Sequence, residues 1–102
     1  MQELNENEIR NLQQQKATVA LFLYTPLCGT CKVAERMLHI SEQLLPDLRL
    51  IKLNVNRAPA FAQEHQITSV PCVLRMEKGV FTDRLYALRS IEHLLQFLRA
   101  GS

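Results

Sequence analysis

The apolar residues along the chain change their spacing several times, and each change predicts a different element. Residues 3–15 have modest helical character. Residues 18–24, TVALFLY, are apolar at nearly every position and rich in strand formers, which is typical of a central strand covered on both faces. From Cys31 the apolar residues fall at helical spacing until Pro46 interrupts the run, so we expect the longest helix there.

The second half of the chain predicts a strand, a short helix, a hairpin and a last helix. Residues 48–55, LRLIKLNV, favour a second strand, and Pro59 suits the first turn of a helix. Two strand-forming segments flank residues 77–79, where Gly79 permits the positive φ of a hairpin turn. Ser90 can cap a final helix that carries one apolar stripe.

The order of these elements predicts the fold class. A strand, helix, strand sequence requires parallel pairing through a right-handed crossover, whereas the hairpin adds antiparallel strands. We therefore predict an α/β fold with a four-stranded mixed sheet and helices on both faces. The chain has 102 residues, 47% of them apolar, and no linker or repeat divides it, so we expect one domain over residues 1–102.

The charge pattern excludes some partners. Twelve Lys and Arg against ten Asp and Glu leave a net charge of +2, with both signs spread along the chain. Nucleic-acid binding needs a basic patch, so we expect none. The polar amino terminus lacks the features of a secretory signal, and the longest apolar run, residues 19–24, is too short for a bilayer. We expect a soluble, cytoplasmic protein whose cysteines are reactive, metal-binding or buried.

Two of the three cysteines lie close together in YTPLCGTCK, between the first strand and the longest helix. Cys28 lies in the loop, and Cys31 lies at the start of the helix. The unpaired amide groups of the first helical turn and the helix dipole favour a thiolate at Cys28. Cys28 is the predicted attacking thiolate and Cys31 the predicted resolving thiol. We expect Gly29 to relieve crowding in the tight turn.

Two alternatives for the cysteines follow from the same residues. The first is a pair of buried thiols with accidental spacing. The second is a metal or cluster site that uses Cys28, Cys31 and Cys72, but zinc needs four ligands and the chain has no second close pair. His39 lies roughly 12 Å from Cys31 along the helix, which is too far for a shared metal. We therefore expect no resident metal, and we keep the three-cysteine carrier as an alternative.

Several segments together resemble the thioredoxin family, in the same order and at similar separations, over residues 17 to about 99. The segments are VALFLY, TPLCGTCK, LIKLNVN, ITSVPCVL, the EKG turn and the last amphipathic helix. The resemblance implies a thioredoxin-like core at 17–99, preceded by a helical segment at 1–16 that replaces the leading strand of many members. It also implies a cis Val70–Pro71 bond that exposes the Val70 backbone to a substrate segment. An ordinary trans proline at the start of an edge strand is the alternative.

The chain also departs from the family at functional positions. Phe22 occupies the place of a buried aspartate that accepts the proton of the resolving thiol in thioredoxins, and Phe cannot do so. Lys52 matches the lysine that partners this aspartate and is retained without that aspartate; it or a water is a candidate proton relay. We predict slower disulfide exchange than in thioredoxin. Thr30 replaces the proline between the cysteines, and Leu27 replaces the preceding tryptophan.

Other positions concern the substrate groove and the third cysteine. Tyr86 stands where thioredoxins have a glycine, so its ring either reshapes the groove or packs on the core. Arg36 replaces a helix-kinking proline, which predicts a straighter helix. Cys72 is either a small buried residue or a third redox participant. The predicted substrate-binding residues are Tyr24, Leu27, Val70, Pro71 and Tyr86.

The resemblance implies a thiol–disulfide oxidoreductase that acts on protein disulfides. An external reductase or a low-molecular-weight thiol would recycle it, because the chain has no flavin or nicotinamide signature and we expect no cofactor. We expect a monomer. The alternative from another functional class is a binding or adaptor module with the same fold and little turnover.

Overall fold

The computed structural model describes residues 1–100, and within that range the chain forms five strands and four α-helices. The strands are β1 (Gln2–Glu3), β2 (Val19–Tyr24), β3 (Leu50–Asn54), β4 (Cys72–Glu77) and β5 (Val80–Leu85). The helices are α1 (Glu6–Gln14), α2 (Gly29–Leu44), α3 (Pro59–Glu64) and α4 (Ile91–Arg99), with a 3₁₀ turn at Val55–Arg57. No helix within residues 1–100 is long and apolar enough to cross a membrane.

The sheet has the order β1-β3-β2-β4-β5 and is mixed, as predicted. Strands β1, β3 and β2 run parallel, and β4 and β5 are antiparallel to their neighbours. The prediction of four strands was wrong by one, because Gln2 and Glu3 pair with Ile51 and Lys52 as an edge strand. The first helix therefore follows a leading strand instead of replacing it. A strand of two exposed residues has no readable periodicity, which explains why the pattern did not reveal it.

Each face of the sheet carries two helices. Alternate residues of β2 point to opposite faces, so Leu21 and Leu23 pack towards α1 and α3, whereas Ala20 and Phe22 pack towards α2 and α4. All of β2 except Tyr24 is buried. This accounts for its nearly continuous apolar sequence, since a central strand covered on both faces has no solvent side.

The ends of the helices follow the predicted local chemistry. Ser90 caps α4 by accepting the N–H of His93 at 3.1 Å, and Pro59 occupies the first turn of α3. Helix α2 continues without interruption past Arg36, the position at which a proline would have broken its hydrogen bonding.

The hairpin between β4 and β5 turns through two residues with positive φ. Lys78 has φ 50° and Gly79 has φ 83°, and Glu77 pairs with Val80 on either side of them. A side chain at Gly79 would collide with the carbonyl oxygen of Gln13. Glycine is therefore needed here both for the turn and for the close approach of α1.

Candidate active site

The cysteine pair lies where β2 ends and α2 begins. Cys28 and Cys31 form a disulfide, with their Cα atoms 5.1 Å apart. Cys28 is the N-cap residue of α2, and Cys31 lies in its first turn. A strand-to-helix loop of this kind holds the two sulfur atoms at the positive end of the helix.

The two sulfur atoms differ in exposure and in hydrogen bonding. Cys28 Sγ accepts the N–H of Cys31 at 3.1 Å and lies 3.3 Å from Thr30 Oγ1. Hydrogen-bond donors in such positions stabilise a thiolate relative to a thiol. Cys28 is half-buried, whereas Cys31 is only 3% exposed. An incoming disulfide therefore reaches Cys28 more easily than Cys31.

Gly29 does not have the steric role that the sequence suggested. A Cβ built on Gly29 has no atom within 4 Å other than those of its two chain neighbours and the nearby backbone of α2, and the backbone of Gly29 is helical. The prediction that glycine prevents crowding in this turn was wrong, because the side chain at the first position of α2 points into open space.

Pro71 lines one cavity with Thr30 of the cysteine motif, and Val70 packs against the apolar cluster that contains Cys31. The peptide bond between Val70 and Pro71 is cis, as the resemblance implied. Val70 is partly buried and packs against the apolar clusters on both faces of the sheet. A cavity of about 340 Å³ opens beside Pro71, and its lining includes Thr30, Val33 and Tyr86. We call this cavity the proline groove. It places an apolar surface next to the cysteine motif.

Leu27, which precedes Cys28, is the most exposed large apolar residue in the described part of the chain, with 99% of its surface accessible. Val33, on the first turns of α2, is 53% exposed. Apolar side chains on either side of a reactive disulfide form a surface suited to another protein.

Tyr86 lines the proline groove and also forms hydrogen bonds with Thr68 and Arg84. Its ring packs against the α1/α3 face, and its hydroxyl accepts the N–H of Thr68 at 3.4 Å and an N–H of Arg84 at 3.2 Å. These two bonds lower the pKa of Tyr86, that from Thr68 most strongly. Arg84 also donates to the carbonyl oxygens of His65 and Gln66. We call Arg84 and Tyr86 the β5 clasp, because together they fasten the segment that leads to Val70.

Phe22 and Lys52 are neighbours in the sheet, as their Cα atoms pair across β2 and β3. Phe22 is fully buried in the same apolar cluster as Cys31. Lys52 has a different carboxylate as its partner, because its Nζ lies 2.9 Å from Oε1 of Glu35 on α2. The sequence analysis missed Glu35. Its signal was the spacing of four residues from Cys31, which places both on one side of the helix.

Tyr24 lies apart from the proline groove. Its ring stacks on Phe22 with the centroids 5.8 Å apart, Lys52 lies over it at 5.3 Å, and its hydroxyl donates to Glu3. Burial, together with this bond to Glu3, raises the pKa of Tyr24 to about 12. Tyr24 lines a second cavity with Cys31, so the structure does not bring it together with Pro71 and Tyr86.

Cys72 is a free, fully buried thiol on the other side of the sheet. It packs in the α1/α3 cluster, whereas Cys31 packs in the α2/α4 cluster. Burial raises the pKa of Cys72 to about 11, which keeps it protonated and unreactive at neutral pH. Among residues 1–100, no three His, Cys, Asp or Glu side chains group so that they could hold a metal ion, which leaves the three-cysteine carrier without a site.

Comparison with known proteins gives a consistent result. The family model for thioredoxin matches residues 2–100. The chain is 39% identical over 102 residues to the thioredoxin-like protein YusE of Bacillus subtilis, covering all of this chain and 94% of that protein. It is 34% identical over 75 residues to mitochondrial thioredoxin-3 of Saccharomyces cerevisiae, covering 74% of this chain and 59% of that one.

A solved structure agrees with the sequence relatives. The oxidised form of mitochondrial thioredoxin 3 from Saccharomyces cerevisiae superimposes with a TM-score of 0.85 and 26% identity, over 98% of this chain and 94% of that one. At the family level, the fold and the Cys28–Cys31 pair support thiol–disulfide oxidoreductase chemistry. The chain belongs to the thioredoxin family.

Proposed function

We propose that the chain reduces disulfides in other proteins by dithiol exchange through Cys28 and Cys31. The observation that supports this most directly is the asymmetry of the pair. Cys28 is accessible and accepts hydrogen bonds at the start of α2, whereas Cys31 is buried behind it. Such an arrangement suits one attacking thiolate and one resolving thiol.

The proposed reaction has two steps. The Cys28 thiolate attacks one sulfur of the substrate disulfide, forming a mixed disulfide and releasing the other substrate sulfur as a thiolate that takes up a proton. Cys31 then loses its proton and attacks Cys28 Sγ, so that the Cys28–Cys31 bond forms and the second substrate thiolate leaves. The substrate disulfide gains two electrons, and the cysteine pair loses them.

Docking of the substrate is assigned to the surface around the pair. An extended segment pairs with the backbone of Val70, and its side chains contact Pro71 and Tyr86 in the proline groove and Leu27 outside it. The exposure of Leu27 and the apolar lining near Pro71 support this arrangement. Tyr24 is not included, since it faces the second cavity.

The cycle needs a source of electrons. We propose that an external reductase or a low-molecular-weight thiol reduces the Cys28–Cys31 disulfide after each turnover. The protein would act as a monomer in the cytoplasm, where such reductants are maintained. We also propose that exchange is slower than in thioredoxin, because Phe22 supplies no carboxylate to accept the proton of Cys31.

The test is a titration of the intact protein in thiol–disulfide buffers of defined potential, with free thiols alkylated and counted by mass. We expect one two-electron transition at about −270 to −230 mV, the range of thioredoxin and the more reducing glutaredoxins. C28S should abolish reduction of a protein disulfide, and C72A, as the matched control, should leave both readouts unchanged. Failure of Cys28 and Cys31 to pair at any potential would contradict the proposal. Binding that survives C28S without any activity in the parent would favour the adaptor alternative.

A further inference from the structure

The second cavity contains polar groups that the proposed function does not use. It measures about 190 Å³, and its lining includes Phe22, Tyr24, Cys31, Glu35 and Lys52. The resolving thiol and the Glu35–Lys52 ion pair therefore share one space beneath the start of α2. At roughly 30 Å³ per water molecule in the liquid, the cavity is large enough for water, and the ion pair supplies polar partners for it.

Glu35 is close to Cys31 through the geometry of the helix. Residues four apart on an α-helix lie on one side, with their Cβ atoms roughly 5–6 Å apart. Glu35 is 32% exposed and Cys31 3%, so the carboxylate is in contact with solvent whereas the cysteine is buried. Glu35 is therefore the carboxylate that lies on the same side of α2 as Cys31 and lines the same cavity.

Lys52 holds the carboxylate in position. Its Nζ lies 2.9 Å from Glu35 Oε1, and its side chain is 24% exposed. The ring of Tyr24 lies under the Lys52 ammonium and fixes it from the sheet side. Lys32 is the other charged residue that lines this cavity. Glu35 is therefore held over the cavity by an ion pair that reaches from α2 to β3.

We propose that Glu35 accepts, through water in this cavity, the proton that Cys31 loses in the resolving step. This rests on the proposed role of Cys31. The proton passes from Cys31 Sγ to the Glu35 carboxylate, the new thiolate attacks Cys28 Sγ, and the departing substrate thiolate is protonated from Glu35 or solvent. Glu35 thus supplies from α2 the carboxylate that Phe22 cannot supply from β2.

The experiment follows the reduced protein in its reaction with the aromatic disulfide 5,5′-dithiobis(2-nitrobenzoate), which releases one coloured thiolate at each step. The first release reports attack by Cys28 and the second reports resolution by Cys31. The buried Cys72 does not interfere at neutral pH, since burial raises its pKa to about 11. Because the two releases are separate, failure of the proposed function and failure of this inference give different results.

We expect E35Q to slow the second release about 100-fold at pH 7, at the lower end of the usual effect of a general base, and to leave the first unchanged. The difference should close as the pH rises and Cys31 ionises unaided. E42Q is the matched control, because it removes a carboxylate from the same helix about 10 Å further along the axis than Glu35 and should change neither release.

K52M separates proton transfer from loss of the ion pair. It removes the positioning partner but keeps the carboxylate, so the second release should slow by less than half as much as in E35Q. Equal slowing in the two variants, or an unchanged second release in E35Q, overturns the role of Glu35 while leaving Cys28 as the nucleophile. Absence of the first release in the parent overturns the proposed function itself.

Discussion

At the scale of a single residue, Phe22 is the position with the clearest chemical consequence. F22D would place a carboxylate beside Lys52, its cross-strand neighbour, and in the cluster that contains Cys31. We expect the resolving step to become several-fold faster at pH 7, because a second proton acceptor becomes available. Loss of the buried ring should lower the free energy of unfolding by about 3–5 kcal/mol. Stopped-flow exchange and urea unfolding measure the two effects.

The control for this residue is F22N, which loses the same ring but carries no group that accepts a proton. Its stability should fall as far as that of F22D, and its resolving step should not accelerate. Equal exchange rates in F22D and F22N would contradict the idea that a missing carboxylate limits this protein. F22D should also restore the resolving step in an E35Q background, since either carboxylate can take the proton.

The sequence predicted best the site features that depend on residues close together in the chain. The position of the cysteine pair at the start of α2 follows from a motif a few residues long, whereas the cis bond before Pro71 was implied by the family resemblance. The ion pair of Lys52 with Glu35 does not, because the two residues are 17 positions apart and meet only when α2 packs on the sheet. The steric argument for Gly29 failed for a related reason, since open space around a residue is a property of the folded surface.

At the scale of elements, the β5 clasp connects the last strand to the segment before Val70. Y86F removes the hydroxyl that accepts the N–H of Thr68 and an N–H of Arg84. We expect the segment from Gln66 to Val70 to open more readily, with about 1 kcal/mol less local stability and roughly fivefold faster amide exchange at Thr68. Hydrogen exchange followed residue by residue by NMR measures this directly.

Y24F is the matched control for the clasp. It removes the other tyrosine hydroxyl of the chain, whose partner is Glu3 at the sheet's opposite edge strand. Amide exchange at Thr68 should be unchanged in Y24F. If Y86F and the parent protein exchange alike at Thr68, the Tyr86 hydroxyl does not stabilise the segment from Gln66 to Val70, and Tyr86 acts only through its ring.

The elements themselves were predicted where their periodicity was strong. Strands β2 and β3, helices α2 and α4 and the hairpin were recognised because burial on a defined face forces a regular apolar pattern. Strand β1 was missed because its pairing with β3 depends on backbone hydrogen bonds, which any two residues can form. A short edge strand is therefore harder to predict from the sequence than a central strand.

In the molecule as a whole, the sheet lies between the thiol of Cys72 and the cysteine pair that contains Cys31. Cys31 and Cys72 belong to the clusters on opposite faces, so β2 and β4 lie between their environments. Cys72 follows Pro71 directly in sequence, which suggested a redox role, but the alternation of side chains along β4 directs it to the α1/α3 face. Proximity in sequence to the active-site loop therefore does not give access to it.

The stability of the whole molecule should depend on pH through His65, which packs against Phe61 and Phe81 with ring centroids 4.4 and 4.9 Å away. Burial lowers the pKa of His65 below its usual 6.5, with Arg84 acting in the same direction. The folded state thus favours the neutral ring, so its contribution is complete above pH 6.5 and is lost as the pH falls from there through the lowered pKa. Urea unfolding between pH 7.5 and 5.5 should show the parent losing stability while H65F loses less. H93Q, which alters an exposed histidine on α4, should behave like the parent, and an equal slope in H65F would show that the partly buried His65 ring does not set the pH dependence.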